Sequence, residues 1–168
     1  MAEEIVNRVA NSKLVVFDLE DYYPKGKRTL FDIKEWLYEG FVLREKDFRD
    51  QVKNYDWSQH QDEYVALTCS SDAIVPAWAY MLLTMALEPY VKRTVLGDLN
   101  ALETELYQDI INQLELSDYA DKPIIIKGCS KKPVPTAAYI MLSQALKPVA
   151  KSILFGEACS SVPLYKRK

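Results

Sequence analysis

Pro76-Ala-Trp-Ala-Tyr-Met-Leu-Leu-Thr-Met-Ala-Leu-Glu-Pro-Tyr-Val-Lys-Arg-Thr-Val-Leu-Gly97 returns, at a constant offset of 59, as Pro135-Thr-Ala-Ala-Tyr-Ile-Met-Leu-Ser-Gln-Ala-Leu-Lys-Pro-Val-Ala-Lys-Ser-Ile-Leu-Phe-Gly156. With Asp98 and Glu157 added as a conservative pair, 9 of 23 positions are identical. Upstream, a one-residue adjustment lays Cys69-Ser70 over Cys129-Ser130, and an apolar run precedes each. A repeat of about 30 residues is the size of one βαβ unit.

Each part of the repeat has a physical reading. Tyr64-Val-Ala-Leu and Ile124-Ile-Ile are short apolar runs that suit strands buried on both faces. Pro76 and Pro135 fit the first turn of a helix, and Ala77–Leu87 and Thr136–Leu146 are rich in Ala, Leu and Met. Pro89 and Pro148 stop those helices because neither supplies a backbone N–H. The β-branched segments Thr94-Val-Leu and Ser152-Ile-Leu-Phe then read as second strands, halted by Gly97 and Gly156. The competing reading runs each helix on to its glycine, which would set Cys159 roughly 30 Å from Cys129. Between the repeats, Asn100 and Glu103 make an N-cap pair for a helix whose Leu102, Leu106, Ile110 and Leu114 share one face.

The fold class is therefore α/β: a mostly parallel sheet built from two repeated βαβ units, with an irregular α+β N-terminal third. We expect a single domain over 1–168. It comprises an N-terminal subregion (1–63), a first repeat (64–98), a linking helix (99–123), and a second repeat with its tail (124–168). In the N-terminal third, Leu14-Val-Val-Phe reads as a strand and Tyr22–Lys27 as a turn. Asp32 caps a short helix through Ile33, Trp36 and Leu37, and Arg44–Tyr55 is a second helix.

Composition removes several function classes. The 168 residues carry a formal net charge of −3, with Lys+Arg 21 against Asp+Glu 24. Residues 1–63 hold 10 basic and 14 acidic side chains, net −4, leaving +1 for the remainder. Neither half offers a nucleic-acid partner. Five scattered glycines exclude a Walker loop or a dinucleotide fingerprint. The opening residues lack a basic, apolar leader, and Ala73–Leu87 is too short to cross a bilayer, so the expected location is cytoplasmic, without a membrane partner.

The candidate chemistry lies with three cysteines, each followed by serine: Cys69-Ser70, Cys129-Ser130 and Cys159-Ser160. In the βαβ reading Cys69, Asp98, Cys129 and Cys159 all follow the carboxyl ends of parallel strands, where open α/β sheets place their ligands. Thiols between a strand end and a helix N-terminus have lowered pKa values, and Lys127, Lys131 and Lys132 would add to this at Cys129. The expected metal ligands are Cys69, Cys129 and Cys159 on one sheet edge, for zinc or an iron–sulfur cluster. Asp98, Glu157 or His60 would be the fourth ligand, with Ser70, Ser130 and Lys127 in support. Against this stands plain packing, since free cysteine behaves as a small hydrophobe, and the chain has no C-x-x-C. The rival function is a thiol enzyme with Cys129 as nucleophile, and a third is a non-catalytic interaction module. The acidic run Asp18, Glu20 and Asp21 reads as a solvated strand end rather than a cation site. Tyr80 and Tyr139 read as core, and His60 as a surface side chain.

Leu43–Arg49, Asp56-Trp57, Cys69–Leu82, Lys127–Ser130 and Lys151–Pro163 together resemble the bacterial domain-of-unknown-function family 2480, over nearly the whole chain. The resemblance implies genes placed beside those of iron–sulfur cluster assembly, and hence assembly proteins as partners and an accessory role that binds metal, cluster or sulfur. It also implies an aromatic residue at the position of His60, which argues against that histidine as a ligand.

Overall fold

The computed structural model describes residues 13–128 and 131–168. The chain divides into two compact units, one of them inserted within the other. Pro24–Glu105 forms the inserted unit, and the chain on either side of it forms the flanking unit.

The inserted unit contains β1 (Arg28–Asp32), α1 (Glu45–Asn54), β2 (Tyr64–Thr68), α2 (Ala77–Leu87) and β3 (Arg93–Leu96). Its strands form a parallel sheet in the order β1-β2-β3, with Phe31, Leu67 and Leu96 in one register row. Partners in a row project to the same face. Phe31, Val65 and Leu67 accordingly meet Ala79, Leu83 and Leu87 of α2, and Phe48 of α1 completes this core. The two helices thus bury their apolar stripes against the face that a parallel sheet must cover.

In the flanking unit β4 (Val15–Phe17) pairs with β5 (Pro123–Ile126), β5 with β6 (Ser152–Glu157), and β6 with β7 (Ser160–Lys166). The first two pairings are parallel and the last is antiparallel. Phe17, Ile126 and Phe155 form its register row. Ala138, Leu142 and Leu146 of α4 (Thr136–Leu146) pack there with Tyr107 and Ile111, which belong to α3 (Leu99–Asn112).

The duplication reaches further than residues 76–97. The 3-10 helices Trp57–His60 and Leu116–Tyr119 are 59 apart, as are the left-handed residues Asp62 (φ 60°) and Asp121 (φ 55°). Their N–H groups donate to Tyr90 and Val149, again 59 apart. The first strand of each unit follows another rule: Phe17-Asp18-Leu19 and Phe31-Asp32-Ile33 correspond, yet lie only 14 apart, and the flanking unit's copy comes first. One βαβ core has been placed inside another, after the outer one's first strand.

The parallel α/β architecture, both βαβ units, the proline stops and the strands after them are as expected from sequence. Asp32 caps a 3-10 helix, Ile33–Trp36, and α1 lies within Arg44–Tyr55. Three expectations change. The two repeats build separate sheets, so their strand ends do not form one edge. Asp98, rather than Asn100, caps α3, its Oδ1 accepting from the Ala101 N–H at 2.8 Å. Arg28–Asp32 and Ser160–Lys166 are strands that the sequence reading passed over, because charge and Pro163 interrupt their apolar pattern.

Gly156 ends its parallel pairing at φ +118°, and a Cβ there would stand 2.8 Å from the Ser160 carbonyl oxygen. Replacing it with alanine should lower the unfolding free energy by about 2 kcal/mol, measurable by urea titration.

Candidate functional site

The carboxyl end of the inserted sheet gathers part of the expected constellation. Cys69 follows β2 and is half-buried, with its Sγ 3.4 Å from the Ser71 Oγ. Asp32, at the end of β1, ties down the same loop by accepting from the Ser70 N–H at 3.1 Å and the Lys34 N–H at 3.0 Å. Burial opposes ionisation of Asp32, but the Ser70 side chain and these N–H groups outweigh it, and its pKa is lowered. Burial first, then the charges of Cys69 and Asp32, push the pKa of the Tyr80 hydroxyl up. The thiol therefore sits among a serine hydroxyl, a tyrosine hydroxyl and a carboxylate, at a fixed strand-to-helix crossing.

The flanking unit places its residues differently. Lys127 forms an ion pair with Asp18 at 3.0 Å, and this bond first, then the Asp18 charge, raises the lysine's pKa. Glu20 accepts from the backbone N–H groups of Lys131 and Lys132, so the acidic run holds that distant backbone segment. Glu157 and Ser160 close the β6–β7 hairpin, and Cys159 lies exposed in the two-residue turn between them. Asp98 is occupied as a helix cap. Cys129 and Ser130 lie outside the described residues.

Cys69 and Cys159 thus end strands of different sheets, which corrects the expectation of a shared edge. Among the described residues, no three His, Cys, Asp or Glu side chains are grouped to hold a metal ion. No helix among them is long and apolar enough to cross a membrane.

A second cluster escaped the sequence reading. His60 is buried, not a surface side chain. Its Nδ1 lies 2.8 Å from Glu63 Oε2 and its Nε2 2.8 Å from the Tyr55 hydroxyl. Lys27 Nζ donates to the other Glu63 oxygen at 2.7 Å, and Thr29 Oγ1 donates to Oε2 at 2.7 Å. Burial would raise the pKa of Glu63, yet the bonds from Lys27, His60 and Thr29 prevail and hold it at about 2. An ionised Glu63 only accepts, so the Nδ1–H of His60 donates to it, while Nε2 and the Tyr55 hydroxyl share the second hydrogen bond. Tyr55 stacks on the imidazole at 5.7 Å and lies 4.6 Å from Trp57, measured between ring centroids. These bonds join the starts of β1 and β2 to the 3-10 helix before β2. The flanking unit has Leu114, Tyr119 and Lys122 at the positions of Tyr55, His60 and Glu63, so the cluster exists in one copy only. The signal available in sequence was a sole histidine three residues before a glutamate, at a strand start.

A family described as "Protein of unknown function (DUF2480)" matches residues 3–167. The chain belongs to that family. No curated protein and no solved structure matches it. The family description gives no activity, so for a member such as this one the chemistry must be read from the site itself.

Glu63 ionises more readily folded than unfolded, so its stabilising contribution is complete above the ordinary carboxylate range and is lost as pH falls from about 4.5 towards 2. Glu63→Gln should cost about 2 kcal/mol at pH 7 and much less near pH 2, as read from denaturant titrations at both values.

Proposed function

We propose that this protein is an accessory factor in iron–sulfur cluster assembly that carries sulfur on Cys69. The observation behind this reading is the setting of that thiol, half-buried at the end of a parallel strand with Ser71, Tyr80 and Asp32 around it. Hydroxyl and carboxylate neighbours are hard ligands and suit neither a cluster nor a thiolate-held zinc. A lone thiol can still accept a sulfur atom. In that step the Cys69 thiolate attacks the outer sulfur of a donor persulfide. A new S–S bond forms, the donor's S–S bond breaks, and the donor leaves as its thiolate. The family resemblance supplies the context, with iron–sulfur assembly proteins as donor and acceptor. The cytoplasm, where thiols stay reduced, is the compartment that suits such a carrier.

The test is anaerobic incubation of the full chain with a low-molecular-weight persulfide, followed by mass spectrometry of its peptides. Cys69 should gain the mass of one sulfur atom, and Cys69→Ala should lose that gain while keeping its circular dichroism. Labelling confined to Cys159 or Cys129 would overturn the assignment. Iron, zinc and sulfide analysis of the anaerobically purified chain should find no stoichiometric metal, whereas a bound cluster would replace sulfur carriage with metal binding.

A further inference from the structure

The two units differ in what lies beyond their third parallel strand. In the flanking unit β7 runs antiparallel along the outer edge of β6, pairing Val162 with Phe155. Its Leu164 joins Phe155, Tyr139 and Ile140 in lining an apolar groove of about 300 Å³ beside α4. The inserted sheet stops at β3, and among the described residues no strand pairs with the outer edge of that strand. The positions 59 residues before Phe155, Ile140 and Gln144 are Leu96, Met81 and Met85. They are 63%, 64% and 67% exposed.

We infer that this edge is where a second copy of the chain docks, the two β3 strands pairing antiparallel about a two-fold axis at Val95. Three observations favour a second copy over any other occupant. First, the flanking unit shows what completes this sheet: an antiparallel strand on the same edge, with Leu154, the counterpart of Val95, paired to it. A two-fold copy of β3 enters in that direction and extends the sheet from three strands to six. Second, the Gly97 N–H turns inward to the Leu67 carbonyl at 2.9 Å, so strand alternation directs the Thr94 and Leu96 backbones outward, where a two-fold axis at Val95 sets Thr94 of each copy across from Leu96 of the other. Third, the strand is basic before its start and acidic after its end. Pairing about Val95 sets Lys92 of each copy across from Asp98 of the other, so the charges match rather than repel. Met81 and Met85, one turn apart on α2, would then face the same pair across the axis, and methionine adapts well to such a self-complementary seam.

The full chain should sediment in the micromolar range at twice the 19.3 kDa of one copy. Leu96→Lys and Met85→Glu should each shift it to the mass of one copy with unchanged circular dichroism, since both side chains are exposed within a single copy. Ile140→Lys, at the matching place on the flanking unit, should leave the dimer intact. A wild-type chain that sediments as one copy overturns the inference, as does a dimer that survives both substitutions or dissociates through Ile140→Lys.

Discussion

A parallel strand paired on both edges must have its two faces covered, and β2 meets this condition in full: Val65, Ala66 and Leu67 are buried in succession. The rest of the inserted unit follows from supplying that cover. Crossing from β2 to a parallel neighbour requires a helix, and α2 supplies one whose Ala79, Leu83 and Leu87 fit the sheet face. The turn into β2 must then leave the helical layer and enter the sheet at a set height. Asp62 takes a left-handed conformation there, and its N–H bonds to Tyr90, beyond the end of α2. The flanking unit solves the same problem with Ile124, Ile125 and Ile126, α4, Asp121 and Val149.

That solution was legible wherever it depends on local chemistry. Proline stops, apolar runs and β-branched segments placed both helices and the central strands, because each element satisfies its own backbone bonds or advertises its buried face. The flanking unit's first strand, Val15–Phe17, was legible as an apolar run, but the inserted unit's was not: Arg28–Asp32 begins with an arginine whose guanidinium is satisfied by Glu103 and by the Pro24 and Gly26 carbonyls. No apolar pattern marks such a strand. The two-sheet arrangement was hidden for the same reason, since it depends on where those first strands pair. A shared cysteine edge requires one sheet, and Cys69 and Cys159 follow strands of two.

The two copies have also diverged at the amino ends of their strands. Where the flanking unit keeps Leu114 and Tyr119, the inserted unit has built a charged chain from Lys27 through Glu63 and His60 to Tyr55. Apolar contact and a satisfied polar chain hold the same corner, but they respond to different conditions. Apolar contact does not depend on pH, whereas the polar chain tolerates no missing partner. The candidate thiol lies at the opposite end of the same sheet, so a site and a clamp share β2 without sharing residues.

The nesting of one unit within the other sets an order on the birth of the molecule. All the strands of the inserted unit lie within 69 residues of chain, from Arg28 to Leu96. Val15, by contrast, waits for Ile124, 109 residues later. As the chain leaves the ribosome, the inserted sheet is complete in sequence before the flanking sheet has its second strand. The flanking unit must therefore assemble with an already folded insert between its first and second strands, paying the loop entropy of a tethered end rather than of a free coil. Val15–Phe17 remains an unpaired apolar strand throughout that interval, and its brevity limits the time-dependent hazard of exposed edges.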